Sequence, residues 1–222
     1  MTVVPGLLEN PRVRLKYGHV NPEENRVPHS LGLHFLAIFE DGEILTIRRG
    51  HDVDYWPGAW SFSGEEQCAP VDLEGKPDER MRQYLLRTVA EEAFPLGTKP
   101  NRSRLKDLLP RIEHKVHSMR VWSLFLEEPE VNFVLYAIFE MKLKTREYAE
   151  YVENLVAAGF GLSSPEGHYF TASLNNIPIL LSGLPIPAKP LFGTQMAHVL
   201  PTDLHPTSRY RLFRLLQVLQ KG

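Results

Sequence analysis

The chain contains very little cysteine. Cys68 is the single cysteine among 222 residues, which excludes an intramolecular disulfide and a thiolate metal cluster. The first twenty residues lack the basic and then apolar layout of a secretory signal, so we expect a cytoplasmic location. No apolar run approaches the roughly 20 residues that a membrane helix needs. We therefore expect no membrane partner.

An excess of charge of one sign is also missing. Lys and Arg number 25, Asp and Glu number 27, and the net charge is -2. This balance gives no broad basic surface for duplex nucleic acid, although it allows a small nucleotide in a local pocket. Apolar residues make up 43% and charged residues 23% of the chain, which is typical of a folded globular protein.

Several signatures of well-known sites are absent from the sequence. There is no Gly-x-x-x-x-Gly-Lys-Ser/Thr or Gly-x-Gly-x-x-Gly motif for phosphate or dinucleotide binding. There is no Gly-x-Ser-x-Gly turn for a serine nucleophile. The nine histidines do not show the His-x-x-x-His spacing of a helical zinc site. The usual P-loop, dinucleotide-binding, serine hydrolase and zinc peptidase classes are therefore not expected.

Periodicity and turn residues predict an order of strands, helix, strands and helix. The predicted elements are a hairpin over 31–39 and 44–47, an extended, aromatic-rich segment over 56–66, a helix over 78–94, a hairpin over 120–126 and 132–141, a helix over 145–158, a strand at 168–172 and a helix over 206–220. Strands and helices do not alternate regularly, so we expect an α+β fold. We expect residues 1–30 to form an N-terminal arm and residues 31–222 a single domain.

Amphipathic patterns assign an inner face to two of these helices. The helix over 78–94 is expected to begin with Asp78 as its N-cap and to seat Met81, Leu85, Val89 and Ala93 on a sheet. The terminal helix is expected to turn Leu212, Leu215, Leu216 and Leu219 inward.

Acidic residues are concentrated in the helix predicted over 78–94. Glu91 and Glu92 are adjacent, and Arg87 lies one helical turn before Glu91, so these side chains share a patch. Neighbouring carboxylates repel one another, and Mg²⁺ is a suitable counter-charge because it takes oxygen ligands. A bound Mg²⁺ or Mn²⁺ would neutralise a diphosphate and lower the pKa of an attacking water.

The stretch that runs from Glu79 through seven residues to Arg87-Thr88-Val89-Ala90-Glu91-Glu92 resembles the Nudix box. The resemblance covers roughly residues 31–140 and the terminal helix, and leaves 145–200 as an insertion. It implies a mixed β-sheet sandwiched between helices. It also implies a Mg²⁺-dependent hydrolase of a nucleoside diphosphate linked to another group.

This chain departs from the family pattern at three points. Thr88 occupies the position of a glutamate that is usually a metal ligand, and Phe94 replaces the glycine that ends the helix. The first glycine of the pattern would fall at Leu73. Glu65 and Glu66 follow the strand of Trp60, and either could supply the missing carboxylate if that strand lies beside the helix.

The resemblance, together with the two glutamates that follow the Trp60 strand, suggests roles for individual residues. Glu92, Glu66 and Arg87 are the expected catalytic residues, and the expected metal ligands are Glu91, Glu92, Glu65 and Glu66.

Aromatic and basic residues near this turn suggest a place for the substrate. Trp60 and Phe62 either stack on a base or belong to the core. Arg48 either meets phosphates or ends a strand in water.

Three functions stay open at this point. The first is a metal-dependent hydrolase of a nucleotide-like small molecule. The second is a catalytically degenerate Nudix-like module that binds a nucleotide or a protein partner, which Thr88 favours. The third is an assembly domain that forms a homodimer through residues 145–200.

Overall fold

The computed structural model describes residues 31–51, 56–68, 77–94, 102–127, 132–160 and 167–219. The strands are β1 (Leu31–Ile38), β2 (Glu43–Arg49), β3 (Trp60–Phe62), β4 (Glu65–Gln67), β5 (Val116–Glu127), β6 (Asn132–Met141), β7 (Gly167–Ser173), β8 (Ile186–Pro190) and β9 (Ala197–Val199). The α-helices are α1 (Pro77–Thr88), α2 (Arg102–Glu113), α3 (Thr145–Ala157), α4 (Ile177–Leu181) and α5 (Pro206–Leu219). The N-terminal arm expected at 1–30 lies outside the described residues.

One mixed sheet organises the described residues. Its order is β5-β6-β1-β2-β7-β8-β9, with β3 paired to β2 and β4 paired to β1. The central pair β1 and β6 is parallel, whereas the other pairs are antiparallel. The expected α+β class is confirmed.

Helices cover both faces of this sheet because side chains alternate between the faces along each strand. Leu33, Phe35 and Ala37 of β1 belong to the core beneath α1, α2 and α3. On the opposite face, Leu36 belongs to the core that α4 and α5 cover. The expected arrangement of a mixed sheet sandwiched between helices is confirmed.

The hairpin of β1 and β2 opens into a split. The two strands pair at Ile38 and Ile44, next to their turn, and farther along β4 pairs with β1 while β3 pairs with β2. Ser63 bridges the split, because its Oγ accepts a hydrogen bond from Ala37 N at 2.8 Å and donates one to Leu45 O at 3.0 Å. The β3–β4 turn is therefore wedged into the sheet.

The helix that carries Glu91 and Glu92 changes type within the acidic stretch. It begins at Pro77, so the expectation that Asp78 is the N-cap is wrong, and Pro fits this first position because its missing N–H needs no partner there. α1 ends at Thr88, and a π-helical turn follows over Val89–Ala93. Such wide turns are frequent at functional sites.

The inner faces of the amphipathic helices are predicted only in part. Leu85, Val89 and Ala93 are buried as expected, but Met81 is 41% exposed. On α5, Leu212 and Leu215 are buried, whereas Leu219 is 51% exposed. Both errors fall toward a helix end, where the helix extends past the core that it covers.

Residues 145–200, expected as an insertion, contribute to the core. Tyr148, Val152 and Leu155 of α3 are buried under the sheet, and β7 pairs with β2 along its whole length. The helices α2 and α4 and the strand β9 were not predicted. Residues 176–190, which contain α4 and β8, suggest loop or short strands in the sequence. α2 contains Pro110, which in sequence is typical of a helix end. Among the described residues, no helix is long and apolar enough to cross a membrane.

Candidate functional site

A small cavity of about 160 Å³ opens where β1 and β2 separate. Two carboxylates line it, Glu65 from β4 and Glu92 from the π-helical turn, together with the guanidinium of Arg49 at the end of β2. The remaining wall includes Ser61, Ser63 and Gly64. Two acidic side chains from separate elements therefore meet beside one cation.

Gly64 allows the β3–β4 turn to approach the π-helical turn that carries Glu92. A Cβ atom at this position would lie 2.7 Å from Glu92 Cβ and 2.7 Å from Phe35 Cε1, which is closer than packed atoms allow. The backbone of the β3–β4 turn therefore lies directly against the π-helical turn because Gly64 has no side chain. The strand of Trp60 therefore lies beside the helix that carries Glu91 and Glu92, as is needed for Glu65 or Glu66 to supply a carboxylate there.

Glu65 lies in a cluster of basic side chains. Its Oε2 atom accepts a hydrogen bond from Thr207 Oγ1 at 3.1 Å and lies 3.4 Å from His34 Nε2 and 4.0 Å from an Arg211 guanidinium nitrogen. Burial alone would raise the pKa of Glu65, but the nearby positive charge, above all that of Arg211, lowers it below its ordinary value. Glu65 is therefore an ionised carboxylate at neutral pH.

The two histidines of this cluster are neutral at neutral pH. Burial, followed by the nearby Arg211, lowers the pKa of His34 to about 3 even though Glu65 opposes the shift. Burial also lowers the pKa of His205 to about 4, with Arg211 and Arg49 acting in the same direction and Glu65 against it. The positive charge beside Glu65 therefore comes from the arginines.

Arg211 fastens α5 to the β3–β4 turn. Its side chain is fully buried and donates to Gly64 O at 2.6 Å, to Ser61 Oγ at 3.2 Å and to Ser208 Oγ at 3.0 Å. Sequence reasoning missed this residue. The available signal was its position, since Arg211 falls between Ser208 and Leu212 on the stripe that α5 buries.

A second ion-pair group lies outside the cavity. Arg87 donates to Glu91 Oε2 at 2.5 Å and to Gln67 O at 2.7 Å, and its guanidinium lies 3.7 Å from Glu66 Oε1. Tyr84 Oη donates to Glu66 O at 2.9 Å. These contacts tie α1 to β4.

The four carboxylates that the sequence analysis grouped are thus divided. Glu65 pairs with His34 and Glu66 with Leu33 along β1, and adjacent strand residues point to opposite faces. Glu65 and Glu92 line the cavity, whereas Glu66 and Glu91 bind Arg87. Within the ranges that the structure describes, no three His, Cys, Asp or Glu side chains form a group that could hold a metal ion.

The aromatic residues expected at the substrate are core residues. Trp60 is 1% and Phe62 0% exposed, and both pack in the core beneath α5. The expectation that they stack on a base is corrected, because their faces are covered. Arg48 remains exposed, with its guanidinium 5.7 Å from the centre of the Trp60 ring.

Two further positions of the segment from Glu79 to Glu92 differ in exposure. Thr88 is fully buried, and its Oγ1 has no hydrogen-bond partner among the described residues. Glu79 lies on the exposed side of α1. The small cavity is lined by neither of them.

A second, larger cavity of about 1120 Å³ lies at the ends of β2 and β8 and the start of β7. Arg49 lines both cavities. The larger cavity is also lined by Arg48, His51, His168, His198 and Phe192. Among the described lining residues, Arg49 is therefore the one that the two cavities share.

Comparison with protein-family models and with curated protein sequences finds no match. Among solved structures, the chain is similar to a Nudix hydrolase from Alicyclobacillus acidocaldarius, with 16% identity over 59% of this chain and 84% of that one, at a TM-score of 0.35. It is also similar to RenU, a Nudix hydrolase from M. smegmatis, with 13% identity over 88% of both chains and a TM-score of 0.34. DR0079 from Deinococcus radiodurans shows 14% identity over 67% of this chain and 83% of that one, at a TM-score of 0.31. TM-scores this low leave the function to be argued from the site.

Proposed function

We propose that this chain is a Nudix-type hydrolase that cleaves a nucleoside diphosphate linked to a further group and depends on Mg²⁺ or Mn²⁺. The observation that carries this proposal is the meeting of Glu92, from the box helix, with Glu65, from the β3–β4 turn, in one cavity. Arg49 in the same wall supplies a cation for a phosphate. Carboxylates beside a fixed guanidinium suit a metal-assisted attack on phosphorus.

The donor chemistry of the small cavity fits a hard divalent cation. Mg²⁺ takes oxygen ligands and commonly uses one or two protein carboxylates together with substrate phosphates. Glu65 and Glu92 are the residues that would hold the ion. When bound, the ion would neutralise the diphosphate and lower the pKa of a water.

The protein side chains have distinct tasks in this proposal. Glu65, ionised at neutral pH, can accept a proton from the attacking water. Arg49 binds a phosphoryl oxygen, and Arg211 orients Glu65. This assignment replaces the catalytic roles expected of Glu66 and Arg87, which act as positioning residues that hold the box helix against β4.

A second candidate is a nucleotide-binding module without hydrolytic activity. Thr88 favours it, because the position that carries a glutamate in the family holds a fully buried hydroxyl here. Only two of the four carboxylates expected to bind metal line the cavity. This candidate predicts nucleotide binding that yields no product.

Removal of the Glu92 charge tests the hydrolase. Glu92→Gln should lower turnover by at least about 100-fold with Mg²⁺ or Mn²⁺, because it removes a charge that the transition state needs. Nucleoside triphosphates, dinucleotides and ADP-ribose are screened for products. Circular dichroism and thermal melting should match the wild type.

Glu153→Gln serves as the matched control, since Glu153 is exposed on α3. It should retain wild-type turnover. Equal rates for Glu92→Gln and the wild type would refute the catalytic assignment. Nucleotide binding without product from the wild type would establish the second candidate.

A further inference from the structure

The π-helical turn that carries Glu91 and Glu92 ends at Phe94 instead of at a glycine. Many helices end at a glycine in the left-handed conformation, which lets backbone N–H groups reach the last carbonyls. Phe94 is instead extended, with φ -109° and ψ 111°, and its N–H donates to Val89 O at 3.3 Å. The carbonyl groups after Val89 therefore need donors from elsewhere in the fold.

Two tyrosine hydroxyls supply such donors. Tyr169 Oη donates to Glu92 O at 3.3 Å, and Tyr148 Oη donates to Ala93 O. Tyr148 lies on α3 and Tyr169 lies on β7, so two separate elements reach consecutive carbonyls of the turn. Side chains here take the place of a backbone cap.

Both tyrosines are fixed in the core. Tyr148 is 0% and Tyr169 is 5% exposed, and the ring of Tyr148 packs against Phe94 with the ring centres 5.2 Å apart. Burial raises the pKa of Tyr148 well above its ordinary value, so its hydroxyl keeps the proton that it donates. Because a buried carbonyl without a donor is costly, loss of either hydroxyl should destabilise the turn.

The shape of this turn decides where the Glu92 side chain points. The extra residue of a π-helical turn changes the direction of later side chains by about 100° compared with a continuous α-helix. Glu92 lines the small cavity, whereas the preceding residue, Glu91, binds Arg87. A turn that relaxed to α-helical geometry would therefore no longer direct Glu92 into the cavity.

We propose that Tyr148 and Tyr169 are positioning residues that hold the π-helical turn and thereby direct Glu92 into the small cavity. Neither tyrosine lines that cavity, so both act through the turn. The consequence for metal binding and turnover rests on the proposed function, whereas the consequence for the geometry of the turn does not. Residues 145–200, which the resemblance leaves as an insertion, contribute both hydroxyls.

Removal of the hydroxyls alone tests this role in the full chain. Tyr148→Phe, Tyr169→Phe and the double variant keep both rings. NMR measures hydrogen exchange of the Phe94 amide, which should become at least about tenfold faster in the double variant. The single variants should show smaller changes in the same direction.

A second NMR measurement follows Glu92 directly. An added Cβ at Gly64 would lie 2.7 Å from Glu92 Cβ, so the wild type should show a strong nuclear Overhauser effect between Gly64 Hα and Glu92 Hβ. The double variant should lose most of this effect. The Kd of Mn²⁺, measured by electron paramagnetic resonance, should rise at least about tenfold, as is typical when a residue that orients a metal ligand is lost.

Two controls separate positioning from general stability. Tyr151→Phe removes a hydroxyl from the same helix, where the Tyr151 ring centre lies 6.0 Å from that of Phe94, and should leave all three measurements at wild-type values. Val152→Ala removes buried apolar contacts on α3. It should lower the free energy of unfolding and leave the Overhauser effect and the Kd of Mn²⁺ unchanged.

The outcomes distinguish this role from the hydrolase proposal. Wild-type Phe94 exchange and an unchanged Overhauser effect in the double variant would overturn the role of the tyrosines, as would the same losses in Val152→Ala. If the wild type binds no Mn²⁺, the hydrolase proposal fails and the two NMR measurements alone decide the positioning role. If the wild type hydrolyses nucleotides and the double variant binds Mn²⁺ equally tightly, the positioning role fails alone.

Discussion

Gly64 has a role that only a residue without a side chain can fill. Its Cα lies against Glu92 and Phe35, with an added Cβ only 2.7 Å from each. Neither neighbour can move easily, because Phe35 is fully buried in the core and Glu92 belongs to the π-helical turn. The close approach of the β3–β4 turn to the π-helical turn therefore depends on the absence of a side chain at this one position.

Gly64→Ala should impair both stability and activity. The added methyl group would push the π-helical turn away from β4, at a cost of about 1–3 kcal/mol in the free energy of unfolding. Turnover should fall more than the loss of folded protein explains. Urea denaturation and initial rates measure the two effects.

The matched control for this change is Gly32→Ala. A Cβ at Gly32 would meet Val134 Cγ2 at 3.6 Å, which is ordinary contact, so stability and turnover should stay near wild type. Comparable losses in the two variants would show that Gly64 has no special part in the site.

At the scale of single residues, the sequence predicts which residues lie at the site better than it predicts which residues are buried. Glu92 and Glu65 were expected as site residues and they line the small cavity. Trp60 and Phe62 were expected at the substrate and lie in the core instead, because alternation along β3 does not reveal how many layers cover each face. His34 and His205 were missed, since a lone histidine in a strand or loop carries no spacing signal.

At the scale of elements, α5 completes the site. It brings Thr207 to Glu65 and Arg211 to the carbonyl of Gly64. The helix itself could be predicted from its periodic leucines, but its polar contacts could not. They depend on residues far away in the chain, which no local pattern encodes.

Loss of the Arg211 guanidinium should loosen α5. Arg211→Met removes a buried hydrogen bond to Gly64 O and the guanidinium that lies 4.0 Å from the carboxylate of Glu65, which should lower the free energy of unfolding by about 3 kcal/mol. Arg209→Met, an exposed change on the same helix, should alter it by less than about 0.5 kcal/mol. Urea denaturation measures both, and similar values for the two variants would contradict the role given to Arg211.

Elements with clear periodicity were predicted, and those without it were not. The hairpins, α3, β7 and α5 are confirmed near their expected bounds. α2 was not predicted because Pro110 interrupts its helical pattern. β9 was not predicted because it has only three residues. The π-helical turn could not be predicted, since no local pattern of residues in the sequence marks its extra residue.

At the scale of the whole molecule, the neutral histidines make stability depend on pH. In the folded state the pKa of His34 is lowered to about 3 and that of His205 to about 4, from an ordinary 6.5. The unfolded chain therefore takes up protons first as the pH falls below about 6.5. The part of the free energy of unfolding that depends on the neutral histidines is fully present above that pH and is lost progressively as the pH falls toward 4.

Each histidine should contribute about 1.4 kcal/mol per pH unit between pH 5.5 and 4.5. Urea denaturation across this range measures the slope. His205→Gln should reduce this slope by about 1.4 kcal/mol per pH unit, which corresponds to one proton. His114→Gln, at an exposed position, should keep the wild-type slope. A slope unchanged by His205→Gln would show that His205 is protonated in the folded state.

The bond from Arg211 to Gly64 joins residues 147 positions apart, and this separation has a consequence for folding. A growing chain can form α1 and its acidic turn long before α5 has been synthesised, yet the surroundings of Glu65 assemble only when α5 docks. Contacts between distant residues slow folding. The site around Glu65 should therefore form late in folding, so a newly synthesised chain would form its native helices before it becomes active.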